Sequence, residues 1–168
     1  IRKEALEACV SEQTKMIVLT HPNNPTTTVF DQRSLEAVRD LVLAHDLILV
    51  VDQAFEDFTF EQKMIAPAAM ADMFAHTITV CSTSKGYGLS GYRVGYIIAD
   101  DVFMDVYYGC AVSVIGATNT VSQLAVLAAM EDESFMQEFE AAYDWRRHQA
   151  AAILSGIPGV KIQLPQSG

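Results

Sequence analysis

A primary amine, a guanidinium and a run of hydroxyls are crowded into "CSTSKGYGLSGYR", residues 81 to 93. Lys85 follows Ser82, Thr83 and Ser84 directly, and Arg93 stands shortly after three glycines. A lysine amine condenses with aldehydes to form a Schiff base. Arginine beside hydroxyls is a residue set that holds phosphate. Two more polar residues stand at chain positions suited to the same chemistry: the carboxylate of Asp52, ending the apolar run "LILVV", and the amide of Asn24 in "HPNNPT".

Gly86, Gly88 and Gly91 also spell G-x-G-x-x-G, a dinucleotide-binding pattern. That pattern works only between a strand and a helix, because the helix N-terminus supplies free amides and partial positive charge to the pyrophosphate. Here the chain continues as "YRVGYIIA", a β-forming run, so no helix opens after Gly91. Asp105, at about the distance of a ribose-binding acid, falls inside a predicted helix. No glycine-rich run precedes Lys85, which removes a P-loop as well.

The elements that must position these residues alternate. A helix is expected over 2–12, then a strand in "KMIVLT", then a helix opened by Asp31 as N-cap with Leu35, Val38, Leu41 and Val42 on one face. "LILVV" and "TITVCS" read as further strands, "YRVGYIIA" resumes as β, and "DDVFMDVYYG" reads as a short helix. Helices are expected at 119–131 and 134–155, and "GVKIQL" as the start of another strand. Apolar strands alternating with helices indicate an α/β fold, a three-layer sandwich around a mostly parallel sheet. Ligands of such sheets gather beyond the carboxyl ends of the strands. Asn23 and Asn24, Asp52, and Ser82 to Lys85 all follow strand ends, so they are expected on one rim.

The 168 residues suffice for one domain, and 51% hydrophobic content is ample for a core. A formal charge of −10 disfavours nucleic acid and anionic membrane as partners. No apolar run reaches the length of a membrane span. Cys9, Cys81 and Cys110 have no metal or disulfide spacing, which suits a reducing, cytoplasmic setting. The missing initiator Met and the uncapped end at "LPQSG" suggest part of a longer chain.

The cofactor that uses a lysine amine, a phosphate cradle and a carboxylate together is pyridoxal 5′-phosphate. At these residues the chain resembles aminotransferase class I and II, the fold-type I pyridoxal phosphate enzymes of the aspartate aminotransferase superfamily. "HPNNPT" resembles that family's N-P-x-N-P-T, "VVDQAF" its D-x-A-[YF], and "STSKGYGLSGYRVGY" its S-x-S-K-x-x-G-L-x-G-x-R-x-G-Y. The resemblance implies Lys85 as the Schiff-base lysine and proton shuttle, and Asp52 as partner of the ring nitrogen. It makes Asn24 a donor to the ring oxygen and Ser82 with Arg93 phosphate ligands, with Ser84 adding a contact. Ala54 and Phe55 would lie at the ring. Residues 1–155 would be a portion of the cofactor-binding large domain, and 156–168 the start of the connection to a small C-terminal domain.

The implied activity is transamination between amino acid and keto acid substrates, in a homodimer with Ile115 to Thr120 as a candidate contact. A decarboxylase or β-lyase of the same fold, and a non-catalytic ligand-sensing domain of a regulator, are the alternatives. Three departures from the family pattern stand out. Phe55 replaces a common tyrosine, Thr27 replaces the glycine after "NPT", and His21 replaces the segment's first asparagine. Outside the motifs, lone histidines such as His21 read as structural or solvent-facing, and the acidic "EDE" at 131–133 as a solvated helix junction.

Overall fold

The computed structural model describes residues 1–168. Four strands form one sheet in the order β1 (Met16–Thr20), β2 (Ile48–Asp52), β3 (Thr77–Ser82) and β4 (Gly95–Ile98). The first three are parallel, with Thr20 paired to Asp52 and Asp52 to Val80, while β4 runs antiparallel to β3. The expected α/β architecture with a mostly parallel sheet is therefore present. Parallel register has a direct consequence for function: the carboxyl ends of β1, β2 and β3 lie side by side.

The core explains why the strands hold that register. Leu49 and Val51 of β2 are fully buried against Val38 and Val42, together with Leu47 and Met73. Val38 and Val42 lie on α2 (Gln32–His45), whose apolar residues recur at helical spacing. Asp31 caps α2, its side chain accepting from the Ser34 amide at 2.9 Å. The helix stops at Asp46, which adopts a left-handed conformation and returns its amide to the Val42 carbonyl. Burying these aliphatic side chains contributes about 1.5–3 kcal/mol each.

The remaining helices are α1 (Lys3–Glu7), α3 (Asp101–Val114), α4 (Thr120–Glu131) and α5 (Ser134–Ser155). Asp100 and Asn119 cap α3 and α4 by accepting from Val102 and Ser122 amides. Helix α3 runs past Gly109, where the sequence suggested an end. An interior glycine costs a helix only about 1 kcal/mol, and the chain continues through it. No helix is long and apolar enough to cross a membrane.

"GVKIQL" corrects the sequence reading. Residues 159–164 are irregular, and the only β pairing of this region is an isolated antiparallel bridge between Ser167 and Thr59. β-propensity reports fit to a sheet surface rather than an intrinsic preference, and here no neighbouring strand receives the segment. The chain is anchored just beyond it, at Pro165, by Arg147 of α5. That guanidinium is almost fully buried, stacks over Phe60 at 4.2 Å, bonds Asp144 and Glu61, and donates to the Pro165 carbonyl at 2.8 Å.

Candidate active site

Three strand ends build the site. The His21 amide donates to the Asp52 carbonyl at 2.9 Å, and the Gln53 amide to the Val80 carbonyl at 2.8 Å, so the parallel ladder extends just past each strand. The polar side chains leave from there. Asp52 is half-buried, and its Oδ1 accepts from the Ala54 amide at 3.0 Å, which fixes the carboxylate at the strand end.

Beyond β3 the chain turns sharply. Thr83 is buried, and its hydroxyl donates to the Val94 carbonyl at 2.9 Å. The Leu89 amide returns to the Thr83 carbonyl at 3.1 Å, and the Gly88 amide to the Lys85 carbonyl at 3.0 Å. These bonds close a compact loop with Lys85 exposed on it. Lys85 Nζ lies 5.7 Å from the centroid of the Phe55 ring. Ser82 Oγ accepts from the Ser84 amide at 3.2 Å. Arg93 is exposed in a left-handed conformation, one Nη donating to the Ser90 carbonyl at 3.0 Å.

Asn24 is exposed in the turn after β1. The turn is closed by the Asn23 amide on the Thr28 carbonyl at 2.8 Å and the Thr27 amide on the Asn23 carbonyl at 2.7 Å. Thr27 has φ +58°, a left-handed conformation that is strained for a β-branched residue by about 1–3 kcal/mol. The glycine expected there would carry no such cost. His21 is fully buried, stacks on Phe30 with ring centroids 5.2 Å apart, and accepts the Phe30 amide on Nδ1 at 3.3 Å. Desolvation holds its pKa below the ordinary value, with the Ile65 backbone opposing.

Sequence reasoning missed the carboxylates behind the lysine loop. Asp57 packs against Gly86, the residue after Lys85, so closely that a Cβ at Gly86 would overlap its side chain. Burial first, then Glu56 and Glu133, push the Asp57 carboxyl up to about 6, while the Gly86 amide pulls it down. The Tyr87 hydroxyl donates to Glu133, so the "EDE" segment ties α5's start to the loop instead of being only solvated. Burial, helped by Glu56, pushes the Cys81 thiol up to about 12, which leaves it unreactive as a nucleophile. No periodicity announces Asp57 or Glu133; the one signal that could have pointed to Asp57 is the adjacency of "FED" to "DQA".

A carboxylate at one strand end, an amide donor at the next, and an amine beside hydroxyls and a guanidinium form a donor set that fits pyridoxal 5′-phosphate. Such a sheet, with polar residues gathered at the carboxyl ends of its parallel strands, defines an α/β protein with a candidate ligand rim. Comparison with known proteins makes this specific. The chain belongs to the aminotransferase class I and II family, whose pattern it matches over residues 1–168. It is 31% identical over 173 aligned residues to the aspartate aminotransferase of Musicola paradisiaca, covering all of this chain and 42% of that protein. It is 29% identical to a probable aspartate/prephenate aminotransferase of Aquifex aeolicus, covering 97% of this chain and 43% of that one. A mutant aspartate aminotransferase of Thermus thermophilus superposes with TM-score 0.94 at 27% identity, over all of this chain and 44% of that structure. The chain thus spans about two-fifths of the length of the curated relatives it matches.

Proposed function

We propose that the complete protein is a pyridoxal 5′-phosphate-dependent aminotransferase that exchanges an amino acid for a keto acid at this site. The observation that carries the proposal is the shared rim of Asn24, Asp52 and Lys85 at the ends of three parallel strands. Bound pyridoxal 5′-phosphate supplies an aldehyde for amines and a protonated ring that withdraws electrons from the substrate Cα.

Each residue then has a task. The Asp52 carboxylate would hold the ring nitrogen protonated, because a nearby opposite charge favours the charged form. Asn24 donates to the ring oxygen. Arg93 and the Ser82 hydroxyl take the phosphate, with Ser84 beside them. Ala54 and Phe55 cover the ring face. Lys85 Nζ would hold the cofactor through its aldehyde and, once free, would serve as the base that carries the proton lost from the substrate Cα. Arg93 commits one Nη to the Ser90 carbonyl, and its guanidinium has further N–H donors for the phosphate.

The proposal extends to the organisation of the protein. Residues 1–155 are a portion of the large domain and 156–168 lead towards a small domain. The protein works as a homodimer in a reducing, cytoplasmic setting, the latter supported by three free cysteines. Because relatives are named for aspartate, aspartate/prephenate and asparagine, acidic donors and their amides are the first to try. The test is keto acid formation by the complete protein from aspartate and a keto acid acceptor, with Lys85→Ala as control. Turnover lost in Lys85→Ala supports the proposal. Carbon dioxide or pyruvate release without amino transfer contradicts it.

A further inference from the structure

Thr27 is the one residue of the Asn24 turn whose backbone conformation its side chain disfavours, yet the turn is closed around it. The compensating contact comes from far along the chain. Ser167, buried at 3% exposure, donates its hydroxyl to the Thr27 carbonyl at 3.1 Å. Its neighbour Gln166 accepts the Val29 amide on Oε1 at 2.9 Å, and Gln62 donates to the Val29 carbonyl at 2.9 Å.

This strap is itself anchored. The Phe60 amide donates to the Gln166 carbonyl at 3.1 Å, and the Gly168 amide to the Phe58 carbonyl at 3.3 Å. Phe58 is buried and follows Asp57 directly, on the same stretch that leaves β2 at Asp52. The segment around Ser167 therefore bridges the turn that carries Asn24 and the stretch that carries Asp52. Neither the apolar strands nor α2 reaches the Thr27 carbonyl; among hydrogen bonds to it, Ser167 provides the side-chain donor.

We propose that Ser167 is a positioning residue: its hydroxyl holds Thr27 in the left-handed conformation and so fixes the turn that presents Asn24. Gln166 acts beside it on Val29. The role of Asn24 rests on the function proposed above; the tether does not. If Thr27 leaves the left-handed region, its carbonyl turns away from Ser167 and the Asn23 to Thr28 closure opens. A glycine at position 27 accepts that conformation without strain, so it should offset loss of the tether.

The experiment compares wild type, Ser167→Ala, Thr27→Gly and the double variant in the complete protein. Amide hydrogen exchange of residues 21–30 is read without cofactor, together with peptides remote from the turn. Ser167→Ala should speed exchange of the Asn23 and Thr27 amides about fivefold, equivalent to about 1 kcal/mol at 1.4 kcal/mol per tenfold. Remote peptides should be unchanged, Ser167→Thr should restore the wild-type rate, and the double variant should return close to it. With pyridoxal 5′-phosphate added, the pH midpoint of the cofactor's absorbance should rise in Ser167→Ala and fall back in the double variant, because a loosened Asn24 donates less to the ring oxygen.

Unchanged exchange in the turn, an equal rise in remote peptides, or a double variant as fast as Ser167→Ala would each overturn the proposal. If Ser167→Ala does not fold, recovery of folding in the double variant supports the tether and its absence refutes it. A wild type that binds no pyridoxal 5′-phosphate defeats the functional reading of the site, while the exchange data still decide the tether.

Discussion

Replacing Gly86 with alanine is expected to damage the lysine loop for a steric reason that the structure makes quantitative. A Cβ on Gly86 would lie 2.0 Å from Asp57 Oδ2, 2.2 Å from its Cγ and 2.3 Å from its Cβ. All three are far inside van der Waals contact. Rotating the carboxylate away relieves the first two overlaps but not the third, because the Asp57 Cβ moves only with the backbone. Such overpacking costs about 1–3 kcal/mol. At about 2 kcal/mol the melting temperature falls by about 4–8 °C in a chain of 150–250 residues, and by about half of that in a chain twice as long. Lys85 is the preceding residue, so a displaced loop also weakens pyridoxal 5′-phosphate binding, by about tenfold for 1.4 kcal/mol. The assays are thermal unfolding and cofactor titration of the complete protein. Compensation sharpens the test: Asp57→Gly removes all three overlapping atoms and should recover much of the loss, whereas Asp57→Ala keeps the Cβ and should recover less. Wild-type melting and affinity in Gly86→Ala, or equal recovery by both partners, would refute the reasoning.

Further expectations follow from the same contacts. The Asp57 carboxyl is raised to about 6, so the folded state binds its proton more tightly than the unfolded one. Its contribution is complete below the unfolded value near 3.8 and is lost as pH rises through about 6. Asp57→Asn keeps an acceptor for the Gly86 amide and removes the charge. It should raise stability above pH 6 by at most about 1–2 kcal/mol after solvent screening, and flatten the profile of unfolding free energy between pH 4 and 6; an unchanged profile counts against it. Arg147→Lys should cost about 1–2 kcal/mol, since an ammonium cannot both stack on Phe60 and fork between Asp144 and Glu61. Limited proteolysis should then cut residues 156–168 faster, and resistance equal to wild type would contradict this. With Phe55 at the ring as proposed, Phe55→Tyr adds a hydroxyl donor for the ring oxygen, so the absorbance of bound cofactor should titrate at lower pH than in wild type. Identical titrations would remove Phe55 from the cofactor's surroundings.

Much of this was legible in the chain because the signals are local. Asp31 followed by apolar residues at helical spacing gave α2 its start and its buried face. "LILVV" and "TITVCS", too short for helices and rich in β-branched residues, gave two parallel strands. The candidate positions of Asn24, Asp52 and Lys85 were legible because each lies at a strand end or within a few positions after it, whereas Arg93 was picked out by its spacing from the glycines. Contacts that depend on distant partners left no such trace. Ser167 meets Thr27 across 140 positions, and nothing in "PQSG" announces a partner. "GVKIQL" carries β-forming residues but finds no strand to pair with, so propensity misled there. Asp57 lies in a stretch without periodicity, and its importance arises only because Gly86 leaves room for it. His21 was legible as a departure from the family pattern, but its burial against Phe30 depends on how the turn folds back.

The central claim is that Lys85 is the residue that binds the cofactor aldehyde. The most direct measurement is borohydride reduction of the complete protein after incubation with pyridoxal 5′-phosphate, followed by peptide mapping against an unfolded control. The chain described here contains Lys3, Lys15, Lys63, Lys85 and Lys161. Selective labelling of Lys85, lost on prior unfolding, is the expected result. Even labelling of all five, or selective labelling of another lysine, would contradict the account.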